Sequence, residues 1–387
     1  MKSSFPSQTT TCGDHGRVPR SVEASESDLA RVVASGYDAQ RRNGCPFPCP
    51  RVETMPRFAV GAAMGLLGVG LVWLIVLGCG AAEPAVKRAT KGDGFASDRA
   101  AALPDPIAFD AARAMDYLKA VCKIGPRISG TDGMKQQQEL LQKHFENLGA
   151  KVSCRRFTAK QLSEGKAVEM ANLVVSWRPD KTRRIMLCSH YDTRPVADQE
   201  PNRRRWHDIF LSANDGGSGV ALLMEMANHM KELDPAVGVD FVFFDGEEYV
   251  FEPQDEYFFG SKEFARDYRE NKDRPHYIGT VVLDMVGGKN AKFPVEKNSF
   301  WKAPDLTREL WRTADELHCG AFRPNEFSQY AVEDDHIALN KAGIPAVDII
   351  DFSYPHWHRL TDVPENCSGD SLEQVARVLG VWVQRAK

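Results

Sequence analysis

One stretch of the 387-residue chain limits the possible folds more than any other, the segment FVFFDGEE at 241–248. An apolar run of aromatic and β-branched residues ends there in three acids around a glycine, and such a run is typical of a buried strand. In open α/β sheets, functional groups lie just beyond the carboxyl ends of the strands. A pair of glutamates taken alone is more often a solvated acidic turn, so the interpretation depends on the rest of the chain.

Strand and helix patterns alternate through the C-terminal part of the sequence. Apolar runs predict strands at 152–157, 172–177, 185–188, 239–244, 278–283 and 345–350. Amphipathic stretches predict helices at 109–121, 134–148, 220–233, 261–268, 303–318, 334–341 and 372–383. Residues 158–169 look like a polar insertion between two strands. The alternation predicts one α/β domain at 105–387 with a largely parallel sheet.

The N-terminal third has a different composition. Residues 1–54 are rich in Ser, Thr, Pro and Arg, which predicts disorder or a mis-assigned extension before a true start at Met55. Residues 55–82 contain about 20 apolar residues, enough to span a bilayer, and Val76-Leu77-Gly78-Cys79 resembles a bacterial lipoprotein box. We expect a signal with a lipidated Cys79 or a membrane-anchoring helix, a linker at 83–104, and an exported, membrane-anchored catalytic part.

Composition excludes some partners. The net charge of −4 and the absence of long basic tracts argue against nucleic acid, and the basic run at 203–205 is too short to change this. The nine cysteines are dispersed without the spacing of a structural zinc site. Because five of them lie beyond residue 82, that part of the chain can form at most two disulfides. We expect a monomer.

Several histidines and acids occupy equivalent positions in the predicted fold. Each follows an apolar run or begins a helix; they are His190, Asp215, Glu247, Glu248, Asp284, Asp334 and His358. One sheet could bring them to a common edge. Each also has an ordinary explanation, because a lone histidine is often structural and a lone aspartate often caps a helix. All of these explanations would have to hold together, so a metal site is favoured.

Histidine and carboxylate ligands suit zinc, and a catalytic zinc needs three protein ligands and one open position. The most economical set is Asp215, Glu248 and His358. Glu247 would then be the general acid/base beside a ligand.

The motifs resemble those of a known superfamily. HYDT at 190–193, NDGGSG at 214–219, DGEE at 245–248 and a late histidine are similar to the zinc aminopeptidases. Longer stretches resemble the zinc-dependent glutaminyl cyclases: PQD at 253–255, LDMVGGKNAKFP at 283–294, DDHI at 334–337, and Trp357-His358. The resemblance covers about 105–387 and implies a three-layer α/β/α sandwich with a mixed, mostly parallel central sheet.

The resemblance also implies roles. Asp215, Glu248 and His358 match the zinc ligands, and Glu247 matches the proton-shuttling glutamate. Asp284 and Asp334 match two acids in its hydrogen-bond network. The residues expected at the substrate pocket are Trp357, Tyr354, Phe251 and Glu333, the last standing where the family often has glutamine. A peptide with N-terminal glutamine would cyclise to pyroglutamate and release ammonia.

Two alternatives remain at this point. A two-zinc aminopeptidase would add His190 and Asp284 as ligands of a second zinc, with Asp215 bridging and Glu247 activating water. A non-catalytic ectodomain used for binding is the other alternative, although such relatives usually lose ligands or the base, and all are present here.

Overall fold

The computed structural model describes residues 103–387. The predicted extension, anchor and nearly all of the linker lie outside these described residues. Among residues 103–387, no helix combines the length and hydrophobicity that a bilayer crossing requires.

The described strands are β1 Lys151–Lys160, β2 Ala167–Trp177, β3 Arg183–His190, β4 Gly238–Phe244, β5 His276–Asp284, β6 Phe293–Val295, β7 Phe322–Phe327 and β8 Ala346–Ile350. Six of them form one sheet in the order β1-β2-β4-β3-β5-β8. The strands β4, β3, β5 and β8 are parallel, and β2 and β1 join them antiparallel at one edge. The predicted mixed, mostly parallel sheet is therefore confirmed. The strands β6 and β7 form a separate parallel pair.

The described α-helices are α1 Ala111–Lys123, α2 Asp132–Asn147, α3 Ser218–Ala227, α4 Met230–Leu233, α5 Phe259–Glu270, α6 Lys297–Lys302, α7 Pro304–Glu316, α8 Asp335–Lys341 and α9 Gly369–Arg385. Apolar residues of α1, α2, α3, α7 and α9 join the larger core cluster on one face of the sheet. Residues of α5 and α8 join the cluster on the other face. The helices therefore form the two outer layers of the sandwich.

Alternation along each central strand divides its side chains between the two core clusters. On β4, Phe241 and Phe243 pack in the larger cluster, whereas Val242 and Phe244 pack in the smaller one. A strand buried on both faces needs such a continuous apolar run, because parallel sheets are covered by helices on both sides. The carboxyl ends of these strands are thereby held at one edge of the sheet.

The structure corrects two local predictions. Both ends of the supposed insertion at 158–169 are strand, because β1 and β2 pair from Lys151 opposite Ser176 to Lys160 opposite Ala167 and leave only residues 161–166 as the connection. The single helix predicted at 220–233 is two helices, α3 and α4. The break follows Asn228, whose side-chain amide donates to the carbonyls of Met224 and Glu225. Asparagine competes with the helix backbone in this way.

Candidate active site

The ends of the central strands deliver most of the predicted site residues. His190 and Asp284 are the last residues of β3 and β5, and Glu247 and Glu248 follow β4 directly. Asp215 lies in the turn before α3. These residues therefore meet at the carboxyl edge of the sheet, as the sequence predicted.

Asp215, Glu248 and His358 form a buried group whose candidate ligand atoms all lie within 4.8 Å of one another. The Nε2 atom of His358 lies 3.2 Å from Glu248 Oε2 and 3.6 Å from Asp215 Oδ2. Asp215 Oδ2 is buried and has no hydrogen-bond partner in the described part of the chain. A buried carboxylate oxygen without a partner is costly, so this donor set fits a metal ion that would satisfy it.

His358 is oriented by a carboxylate from a distant loop. Its Nδ1 atom lies 2.7 Å from Asp198 Oδ1, and the Nη2 group of Arg194 donates to the other oxygen of Asp198 at 2.8 Å. Such an outer carboxylate fixes the ring and tautomer of a metal-binding histidine. The backbone of His358 has φ +52°, a left-handed conformation that the surrounding contacts must stabilise. Sequence reasoning missed Asp198, because 160 residues separate it from His358.

Two further buried aspartates hold the backbone around the ligands. Asp192 accepts hydrogen bonds from the amides of Glu247 and Glu248, both at 3.1 Å. Asp362 accepts from the amides of Asn214 at 2.9 Å and Asp215 at 3.2 Å. Asp192 lies in the HYDT motif at 190–193, but the roles of both aspartates depend on pairing across the fold.

A glycine permits the close approach of the Asp215 turn to the neighbouring loop. Gly216 has φ +72°, and a Cβ there would lie 2.4 Å from the carbonyl oxygen of Asp192 and 2.9 Å from His190 Cε1. Only glycine fits this turn.

His190 lies beside the ligand set. Its Nε2 atom lies 3.2 Å from both Asp215 Oδ1 and Asp284 Oδ1, and its Nδ1 atom lies 3.7 Å from Glu247 Oε2. His190, Asp215 and Asp284 also satisfy the distance requirement for a metal-binding group. The structure therefore brings together both ligand sets that the sequence left open, sharing Asp215.

Glu247 has the environment of a proton carrier. Burial raises its pKa well above the ordinary value, the positive charge of His190 opposes the rise, and the carboxylates of Glu248 and Asp334 add to it. Burial also raises the pKa of Asp284 to about 7. Perturbed acids grouped in this way are typical of functional sites.

The predicted pocket residues fall in separate surroundings. Trp357 is half-buried, and its ring centroid lies 4.0 Å from that of His358. Tyr354 is buried, and its hydroxyl donates to Asp362 at 2.8 Å. Phe251 packs against Tyr249 at a centroid distance of 5.0 Å, and Glu333 is exposed directly before Asp334. Their contact with substrate remains a prediction.

A mixed, mostly parallel α/β sheet with a candidate Asp–Glu–His ligand set at its carboxyl edge has the architecture of the zinc aminopeptidase-like superfamily. The chain belongs to peptidase family M28, whose family model matches residues 172–383.

Relatives within this superfamily narrow the resemblance. The chain is 48% identical to a glutaminyl cyclase of Fimbriiglobus ruber, with a TM-score of 0.72, covering 75% of this chain and 100% of that one. It is 30% identical to a leucine aminopeptidase precursor of Bacteroides thetaiotaomicron, with a TM-score of 0.67, covering 74% of this chain and 100% of that one. It is also 25% identical, over 246 residues, to the glutaminyl-peptide cyclotransferase of Boiga irregularis.

The match to the Boiga irregularis relative covers 55% of this chain and 64% of that protein. The family model, which matches residues 172–383, includes Asp215, Glu248 and His358. Of the relatives named here, the glutaminyl cyclase of Fimbriiglobus ruber has the higher identity, and the similarity extends to the leucine aminopeptidase precursor.

Proposed function

We propose that this chain converts N-terminal glutamine of peptides to pyroglutamate and releases ammonia. The observation that carries the proposal is Glu247, a partly buried acid of raised pKa directly beside the Asp215, Glu248 and His358 ligand set. The higher identity to a bacterial glutaminyl cyclase than to an aminopeptidase supports the same choice.

The three ligands suit one zinc ion, which when bound would act as a Lewis acid on the γ-carbonyl of the substrate glutamine. Glu247 would take a proton from the substrate α-amine as its nitrogen attacks the carbonyl carbon of the glutamine side-chain amide. The same carboxyl would then give a proton to the amide nitrogen, which leaves as ammonia. Because the nucleophile belongs to the substrate, the remaining requirement is to position the two ends of the glutamine.

Neighbouring acids support this proton transfer. The raised pKa of Glu247 lets its carboxyl hold a proton more readily than an ordinary glutamate does, which favours a group that must both accept and donate a proton. Asp334 contributes through its charge, and Asp284 acts through His190, to which it is hydrogen-bonded at 3.2 Å. Trp357, beside His358, together with Tyr354, Phe251 and Glu333, would form the substrate side of the pocket.

A second candidate function is favoured by one observation. His190, Asp215 and Asp284 could hold a second zinc, as in a two-zinc aminopeptidase. In that enzyme Glu247 would activate water, and the product would be a free amino acid.

Paired assays on the full chain separate the two candidates. One assay follows ammonia and pyroglutamate from a glutamine-initiated peptide, and the other follows amino-acid release from unmodified peptides. We expect pyroglutamate formation, and we expect Glu247→Gln to lower kcat by about 10²–10⁴-fold without loss of bound zinc. The exposed neighbour Glu252 supplies the control Glu252→Gln, which should retain activity. Amino-acid release without pyroglutamate would contradict the proposal and favour the peptidase.

We further propose that segment 55–82 exports the enzyme and tethers it to a membrane as a monomer. The support is the apolar stretch followed by Cys79 in the sequence. Replacing Cys79 with serine should move the protein from the membrane fraction to the soluble fraction. Unchanged membrane association would instead favour an uncleaved anchoring helix.

A further inference from the structure

A further buried group of candidate metal ligands lies at the start of α8 and in β8. Asp334 precedes α8, His336 lies in its first turn, and Asp348 lies in the middle of β8. Candidate ligand atoms of the three residues all lie within 4.8 Å of one another. All three side chains are buried, and none belongs to either ligand set described above.

Most polar atoms of this group lack partners. Within residues 103–387, no hydrogen bond reaches either carboxylate oxygen of Asp348, Nδ1 of His336 or Oδ2 of Asp334. Buried polar groups in folded proteins are nearly always paired, and an uncompensated buried charge costs several kcal/mol. So many unpaired atoms facing one small space indicate a missing partner.

The charge of the surroundings identifies the kind of partner. Burial, followed by the charges of Asp334, Asp284 and Glu296, raises the pKa of Asp348 well above its ordinary value. Shared protons would join the carboxyl groups through short hydrogen bonds of about 2.5–2.7 Å. Among the described residues, no lysine or arginine forms an ion pair with Asp334 or Asp348, and neither oxygen of Asp348 has a hydrogen-bond partner, so a bound cation would supply the missing positive charge.

Glu296 adds the support that a metal-binding histidine usually has. Its Oε2 atom lies 3.4 Å from His336 Nε2. Its oxygens accept hydrogen bonds from the amides of Asn298, Ser299 and Val332, so the carboxylate is fixed in place. A fixed carboxylate against one ring nitrogen orients the imidazole, as outer carboxylates do in metal sites.

We propose that Asp334, His336 and Asp348 bind a divalent transition-metal cation, such as Zn²⁺ or Mn²⁺, in a site that shares no ligand with the Asp215, Glu248 and His358 set. One imidazole and two carboxylates match these ions better than Ca²⁺ or Mg²⁺, which prefer oxygen ligands alone. The ion would tie the start of α8 to β8. It would thereby hold Asp334 at its place near Glu247, as a positioning device.

Metal content of the full chain tests the proposal. The protein is stripped with a chelator, reloaded with Zn²⁺ or Mn²⁺, desalted and analysed by mass spectrometry of the elements. Asp348→Asn and His336→Gln should each carry one ion fewer per chain than the wild type. The comparison variant is His190→Gln, which leaves Asp334, His336 and Asp348 in place and should carry as many ions as the wild type. Wild-type metal content in Asp348→Asn, or a loss confined to His190→Gln, would overturn the proposal.

Thermal unfolding distinguishes an ion site from ordinary packing. Added Zn²⁺ should raise the Tm of the wild type more than that of Asp348→Asn. Without metal, Asp348→Asn should melt at or above the wild-type temperature, because the substitution removes an unpaired buried charge. A lower Tm than wild type in chelator would show that Asp348 is merely structural. Anomalous diffraction at the metal edge, with a peak among the three side chains, gives a check that needs no variant.

Discussion

At the amino ends of β3, β4 and β5, Arg184, Asp240 and Tyr277 form a buried cluster in which each partner is satisfied. Arg184 donates to the two oxygens of Asp240 at 2.7 and 2.6 Å, and the Tyr277 hydroxyl donates at 2.7 Å. At the carboxyl ends of the same strands, buried oxygens of Asp215 and Asp334 have no hydrogen-bond partner among the described residues.

The comparison of the two ends of the strands shows how a structural buried charge differs from a functional one. Both bury carboxylates, so burial alone does not identify a site. The amino end supplies its own cation, and a buried pair of this kind is complete. The carboxyl end gathers acids with too few cationic partners, which is stable only when protons or metal ions neutralise them. Four measurements test this comparison, in order of the expected effect.

The largest effect is expected at the amino end. Arg184→Met leaves Asp240 buried without its cation, and the free energy of unfolding should fall by about 3–5 kcal/mol. Denaturant unfolding measures the change. The adjacent Arg183 is exposed, so Arg183→Met is the matched control and should change stability little. A small loss of unfolding free energy in Arg184→Met would mean that the Arg184–Asp240 pair contributes less to stability than its geometry indicates.

Metal binding should stabilise the carboxyl end. At free Zn²⁺ of about 100 times Kd, the wild-type free energy of unfolding should rise by about 2.7 kcal/mol per site. Asp215→Asn weakens the proposed catalytic ligand set, so Zn²⁺ should raise the free energy of unfolding of this variant by less. Unfolding with and without chelator measures both. Equal gains in the two proteins would show that zinc is not bound by Asp215.

Asp198→Asn should weaken metal binding without removing a ligand. The side-chain amide that replaces the Asp198 carboxylate would orient His358 less strongly. We therefore expect zinc affinity to fall by about 10–100-fold, measured by chelator competition. Asp208→Asn is the control, because Asp208 forms only a surface pair with Arg205. Equal affinity in Asp198→Asn and the wild type would contradict the orienting role.

The smallest effect returns to the amino end. The Ser176 hydroxyl donates to Asp240 Oδ1 at 2.5 Å. Ser176→Ala removes this one bond while Arg184 and Tyr277 remain, so a loss of about 1 kcal/mol is expected in denaturant unfolding. A loss as large as that of Arg184→Met would mean that the cluster acts as one cooperative unit.

Much of the fold could be predicted because its signals are local. The run at 239–244 predicted β4 almost to the residue, since a strand covered on both faces requires an uninterrupted apolar run. The prediction of a polar insertion at 158–169 was wrong because β1 is mostly exposed. Its polar side chains therefore show no pattern of core-facing residues. The break at Asn228 was missed because the apolar spacing continues through it.

The sequence by itself determined which residues end the strands and begin the helices, and hence that His190, Asp215, Glu248 and Asp284 would meet at one edge. Periodicity and strand direction are sufficient for that conclusion. Only the tertiary structure decided which groups support them, since Asp198 reaches His358 across 160 residues and Asp362 reaches the Asn214 amide across 148. It also decided which buried charges are paired. Pairing depends on distances between loops, and no local pattern in the chain encodes those distances.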